Sequence, residues 1–218
     1  MTGVTRELPM FPLGSVLFPG MPLQLRVFEP RYVAMLSSVL DQTEHEFGVV
    51  LIERGSEVGG GDVRFGVGTV ARIVSVELVE GWIELLATGG ARFEVVRWLQ
   101  EDPFPRAEVR ELGALELDES SASELAAAEA VVRSTISRAS EFVELPWPAD
   151  VELSPEIAYR LWQVAGIAPL SSLDQYALLR SRTVSDLLAR LTDDTAGAEA
   201  LFAAGWDADA QDEGDDPE

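Results

Sequence analysis

Residues 7–36 read ELPMFPLGSVLFPGMPLQLRVFEPRYVAML, and three local patterns in this stretch decide the fold class. Leu23, Leu25 and Val27 alternate with Gln24 and Arg26, the period of a strand with one buried face. Pro9, Pro12, Pro19 and Pro22 fix φ and withdraw backbone donors, so they shape an edge strand and its exit turns. Pro30 then opens a helix whose Tyr32, Met35, Leu36 and Val39 fall on one stripe. The reading is strands interrupted by one short helix.

Downstream, the strand pattern continues. FGVVLI (47–52) is an unbroken apolar run, which suits a strand buried on both faces. GTVARIVSVEL (68–78), WIELLAT (82–88), RFEVVRWL (92–99) and RAEVREL (106–112) follow, separated by Glu80-Gly81, Gly89-Gly90 and Pro103-Phe104-Pro105. Glycine-containing turns between β-branched runs predict hairpins and an antiparallel sheet. Six or seven such strands in about 110 residues close into a small barrel or sandwich. RGSEVGGGDVR (54–64) reads as a loop tip, because Gly59-Gly60-Gly61 lacks the strand–turn–helix context of a dinucleotide site.

Beyond Gly113 the period becomes 3.6. Ser121 and Glu124 form a capping box ahead of a stripe of Leu125, Ala128, Val132, Ile136, Ala139 and Val143. Three further helix starts are expected at Ser154-Pro155-Glu156, at Ser172 with Gln175, and at Thr183 with Asp186. The organisation is therefore α+β. A β-rich half occupies 1–112, a linker 113–122 and a four-helix half 123–192. An acidic tail follows over 193–218, disordered or loosely docked, whose apolar patch ALFAAGW (200–206) could fold back onto the chain.

Composition removes most catalytic chemistry. All 16 cationic residues are arginine, against 38 Asp and Glu, one histidine (His45) and no cysteine. Without lysine there is no P-loop, no Schiff base and no Ser–Lys dyad. Without cysteine there is no thiol nucleophile or Cys-ligated metal. His45, in QTEHEF, is expected on an exposed loop, and no G-x-S-x-G elbow accompanies it. The chain is thus expected to be no enzyme and to carry no cofactor or metal. A carboxylate-based hydrolase is the one enzymatic alternative, and no spacing points to its pair of acids.

The net charge of −22 opposes binding to nucleic acid and to anionic lipid, and ten of the acids, with no arginine, follow Leu191. No leader and no apolar run near 18 residues is present, so a cytoplasmic chain that meets no membrane is expected.

The opening stretch resembles the start of the N-terminal substrate-recognition domain of Lon-type ATP-dependent proteases. The matching elements are Leu8-Pro9, Phe11-Pro12-Leu13, Val16-Leu17-Phe18-Pro19-Gly20, Pro22-Leu23, Phe28-Glu29 and Arg31-Tyr32 ahead of Met35. FGVGTVARI, through Gly68, is similar to that domain's Gly-Thr-Val-Ala-x-Ile strand, and ATGGARFEVV to its Gly-x-x-Arg-Phe strand through Gly89, Arg92 and Phe93. The closing helices are similar through Pro169, Leu178, Leu179, Arg190 and Leu191, so the resemblance covers roughly residues 7–191.

The resemblance implies a PUA-like β-barrel with one helix, followed by a four-helix bundle, in a free-standing member without ATPase or protease domains. It further implies a non-catalytic module that binds exposed apolar segments of unfolded or damaged polypeptides, as adaptor, holdase or regulator, with a separate protease or chaperone as a possible partner. The PUA-like fold also admits a nucleic-acid binder, which the net charge disfavours.

Four residues are candidates for peptide contact. Met21 offers an adaptable apolar side chain among prolines, and Arg31 a cation at a helix start where the dipole disfavours it. Phe65 borders the glycine-rich loop, and Trp147, between Pro146 and Pro148, sits in the break between helices. Trp82 and Trp98 are expected on paired strands, mostly in the core. Pro12, Phe18, Pro19, Gly20, Glu29, Tyr32, Gly68, Arg92 and Phe93 are expected to carry structure, with Glu29 and Arg31 paired across Pro30.

Overall fold

A computed structural model describes residues 5–54 and 63–212, with side chains up to residue 198. Six strands, β1 (Thr5–Leu13), β2 (Pro22–Val27), β3 (Glu46–Arg54), β4 (Val63–Val79), β5 (Trp82–Trp98) and β6 (Arg106–Glu111), form one sheet, with α1 (Pro30–Leu40) between β2 and β3. The order is β2-β5-β4-β3-β1-β6, and β5 also pairs with β6. That last pairing closes β1, β3, β4, β5 and β6 into a ring, leaving β2 as an extra strand on β5. The triple glycine at 59–61 lies outside the described residues.

Two features differ from the sequence expectation. The sheet is mixed, because β1 runs parallel to β3, with Met10 opposite Gly48 and Leu13 opposite Leu51. The long connection through β2 and α1 returns the chain to the starting end of the sheet, as a parallel pair requires. Gly89-Gly90 is no turn. It lies inside β5, which pairs with β2 through residues 83–88 and with β6 through residues 93–98. Trp82 and Trp98 are accordingly the two ends of one strand.

Alternation sorts the strand residues between two cores. Leu8 and Met10 of β1, Val50, Val70, Phe93, Ala107 and Val109 form a cluster drawn from all five ring strands, the barrel interior. Phe93 is fully buried and its ring packs where a side chain at Gly68 would stand. Phe11, Leu13, Phe47 and Val49 face the opposite way and join the larger core with the helices. β3 is therefore buried on both faces, as its continuous apolar run requires. The stripe of α1 is buried at Tyr32, Met35, Leu36 and Val39, with Tyr32 stacked on Phe11 at 4.0 Å between centroids.

The helical half comprises α2 (Ser121–Ala139), α3 (Ile157–Ile167), α4 (Ser172–Leu179) and α5 (Val184–Asp212). Leu125 to Ala139 of the α2 stripe are buried; Val143 lies beyond the helix end and is exposed. The start of α2 is held by Asp118, whose carboxylate accepts the N–H groups of Ser120 and Ser121, so the cap sits ahead of the expected box. At α4 the cap is Ser171, whose Oγ accepts from Asp174 N, one residue before the expected Ser172. Thr183 caps α5 as expected, accepting from Asp186 N at 3.1 Å. The helix then continues across residue 193, where the tail is expected to begin, and buries Thr195. The alanine-rich sequence there has high helix propensity, which accounts for the continuation.

Glu129, 7% exposed on α2, receives Arg160 at 2.8 and 3.0 Å and Arg133 at 2.8 Å. Hydrogen bonding from Arg160 holds its carboxyl below the usual range; burial opposes this and Arg133 adds to it. A carboxyl with a depressed folded pKa contributes stability above its unfolded value, near 4.5, and loses it as pH falls through the folded value. Glu129→Gln is therefore expected to lower stability at pH 7 by about 2 kcal/mol, with a smaller penalty below pH ~4. Denaturant titrations at both pH values check the difference.

Candidate functional site

The β1–β2 connection, residues 14–21, is the point where barrel and bundle meet. Pro19 leads into Gly20, whose φ of +74° suits only glycine without strain. Gly20 N donates to Gly89 O and Gly89 N to Met21 O, so the turn is laced onto β5. A methyl at Gly89 would overlap the Phe18 carbonyl, which explains a glycine within a strand. Thr69 Oγ1 donates to Leu17 O at 2.5 Å, and from the bundle Gln163 Nε2 donates to Gly20 O at 3.0 Å and Ser172 Oγ to Gly14 O at 3.0 Å.

Two side chains complete the junction. Phe18, 1% exposed, stacks on Trp162 of α3 at 6.0 Å. The Arg92 guanidinium lies 4.6 Å from the same indole centroid. Arg92 donates to Leu179 O and Ser181 O at 2.7 Å each and to Gly113 O at 3.3 Å. Burial pushes its pKa down to about 10, so it remains charged at neutral pH. It is a positively charged clamp between strand β5 and the α4–α5 turn.

Beside this junction opens an apolar groove of about 460 Å³. One wall is Val16, Leu17 and Leu23, with Met21 at the floor. The other is built by Leu145 and Trp147 from the α2–α3 connection, by Ile167 at the end of α3 and by Leu170 after it. Trp147 is half-buried and packs against the main core. Among the described residues no ionisable side chain lines the groove, so what they offer is apolar contact area. A depression of about 550 Å³ over β2, β4 and β5 is instead lined by Gln24, Arg26, Ser75, Glu77 and Glu84.

Of the four candidate contact residues, Met21 and Trp147 meet in this groove. Met21 contributes little exposed surface of its own: it is 8% exposed and packs on Gly166, whose missing side chain leaves it room. Arg31 and Phe65 lie elsewhere. Arg31 Nε donates to Glu29 at 3.2 Å and its guanidinium stands 4.5 Å from the Tyr32 centroid, as a junction pair would. Phe65 stacks on Tyr176 of α4 at 4.2 Å. Leu145, Ile167 and Leu170 carry no signal in sequence, because only the packing of the helical half brings them to the β1–β2 turn. His45 is exposed, with its carbonyl accepting from Ile73 N.

Comparison with known proteins agrees with this architecture. The family model of the ATP-dependent protease La (LON) substrate-binding domain matches residues 7–193. A Lon protease of Anaeromyxobacter dehalogenans is 37% identical over 47% of this chain and 12% of its own length. Lon protease 2 of Herpetosiphon aurantiacus is 29% identical over 86% of this chain and 23% of its own. The chain thus spans less than a quarter of the length of these relatives.

Among solved structures, a Lon N-terminal domain protein from Xanthomonas campestris superposes with a TM-score of 0.61 at 27% identity, covering 85% of this chain and 96% of that one. The N-terminal domain of a Mycobacterium avium complex Lon protease gives 0.62 at 17% identity, covering 88% and 98%. The α+β arrangement of this chain, a six-stranded mixed sheet with helices, matches both. The chain belongs to the substrate-binding domain family of Lon, the ATP-dependent protease La, over residues 7–193.

Proposed function

We propose that this chain is a non-catalytic module that binds polypeptide substrates, taking exposed apolar segments of unfolded proteins into the groove between Met21 and Trp147. The observation that carries the reading is the groove itself: apolar, about 460 Å³, and lined by no ionisable group of the described residues, at the seam of barrel and bundle. A folded protein buries its apolar side chains, so such a groove selects unfolded ones by what they expose. The absence of lysine from these residues is consistent with recognition separated from ATP hydrolysis and peptide cleavage. Acting as an adaptor or holdase for a separate protease or chaperone in the cytoplasm is the role in which such binding has use.

The test is binding of a permanently unfolded polypeptide, such as reduced and carbamidomethylated lactalbumin, against its folded form. Preference for the unfolded form is expected. Trp147→Ser should weaken it about tenfold, as loss of an aromatic anchor does, when measured at a temperature where the variant remains folded. Equal binding of folded and unfolded forms sinks the proposal.

A further inference from the structure

A second cavity, of about 530 Å³, shares no lining residue with the groove and has a different chemistry. It lies between residues 112–116 and the α4–α5 turn, and Arg92, Arg180 and Arg182 line it. Six arginines of the barrel strands are matched to carboxylates: Arg6, Arg64, Arg72, Arg97, Arg106 and Arg110 each pair with a glutamate. Arg180 and Arg182 pair with no carboxylate of the described residues, and Arg92 bonds only to carbonyls. With 38 acids for 16 arginines, this is no shortage of partners. Two acids also line the cavity, but Glu94 is taken by Arg110, which leaves only the exposed Glu116.

The cations are also positioned. Arg180 stands 5.7 Å from the Tyr176 ring centroid, and Tyr176 is in turn stacked on Phe65, so the guanidinium is held by an aromatic pair that itself lies outside the cavity lining. Arg92 uses three of its N–H groups on carbonyls, leaving two of the five that a guanidinium carries. Val67 and Leu115 add apolar surface between the charges.

We propose that this cavity binds an acidic segment of polypeptide, with its side-chain carboxylates on Arg180 and Arg182 over the fixed charge of Arg92. Guanidinium forks suit carboxylates and phosphates alike. The charge of the whole molecule decides between them, since repulsion by a body of −22 grows with the charge of the ligand. A peptide with a few carboxylates meets less of it than a nucleic acid does. This site stands independently of the apolar groove.

The experiment is fluorescence anisotropy on the full chain, using a labelled short peptide of alternating Asp and Ser with an amidated C-terminus, at about 50 mM salt to limit screening. Binding is expected. It should weaken about tenfold in Arg180→Gln/Arg182→Gln, and weaken with added salt. It should be unchanged in Arg97→Gln, whose arginine pairs with Glu108 outside the cavity. Arg180 and Arg182 are exposed, so the melting temperature should hold; if the double variant melts early, Arg182→Gln alone is read the same way.

Four outcomes overturn the proposal: equal binding of an Asn-for-Asp peptide, undiminished binding by the variant, tighter binding of a short RNA, or binding only by a peptide with a free terminal carboxylate. None of these touches the lactalbumin result, so the two sites fail separately.

Discussion

Arg92→Ala is expected to lower stability by about 3–5 kcal/mol, the largest effect of any single substitution here. Its guanidinium supplies Leu179 O, Ser181 O and Gly113 O, and truncation leaves these carbonyls without their donor in a region 6% exposed at Arg92. Bonds to a charged donor are worth about 1.5–3 kcal/mol each; the third is long, and water replaces part of the loss. The stacking over Trp162 adds about 1 kcal/mol. For a chain of this length the change corresponds to a fall in melting temperature of about 10 °C. Lysine at this position keeps the charge but not the fork, so Arg92→Lys should recover less than half. Because burial leaves the pKa at about 10, the group is charged at every pH below ~9 and the penalty should be flat from pH 5 to 8. A loss under about 1 kcal/mol in denaturant titration would mean that the carbonyls find other donors.

Gly89→Ala should destabilise by about 3 kcal/mol, far more than an exposed glycine-to-alanine change in a strand. The added methyl meets the Phe18 carbonyl, which is backbone and cannot rotate away, and then the Leu17 side chain. Relief requires moving the turn that Gly20 and Met21 lace onto β5, and with it Phe18 from its stack on Trp162. The groove shares this turn, so the variant should also weaken capture of unfolded polypeptide. Gly81→Ala, at the β4–β5 turn, is the contrast: no atom lies near its methyl, and only the strain of φ +94° acts against it. If the two variants melt together, the close approach at Gly89 is not what holds the junction.

The same glycine shows where sequence reading stops. A glycine pair between apolar runs signals a turn, but it equally signals that another piece of backbone comes close, and only the partner distinguishes the two. Here the partner is Phe18, far earlier in the chain. Stripes such as Tyr32-Met35-Leu36-Val39 were legible because each depends on its own helix alone. The parallel β1–β3 pair was not, because strand direction depends on the route of the connection.

Among site residues the division is similar. Trp147 stood out through its flanking prolines, whereas Leu145 and Leu170 are ordinary leucines until the fold aligns them. Phe65 drew notice as a loop aromatic, but its partner Tyr176 lies in the other half of the chain. The cationic cavity was hidden for another reason. Arginine content was visible from the start, but which arginines lack a carboxylate is a property of the folded molecule.

The ring of strands also sets an order of events during synthesis. Residues 5–9 of β1 pair with residues 106–110 of β6, so the earliest strand of the barrel to be made waits for the latest. Until then its Leu8 and Met10 have no closed interior to enter, and contacts so distant in sequence form slowly. A nascent strand of that kind invites pairing with other chains. Pro9 and Pro12 interrupt its row of amide donors, and so guard the nascent chain during an interval that the finished molecule no longer records.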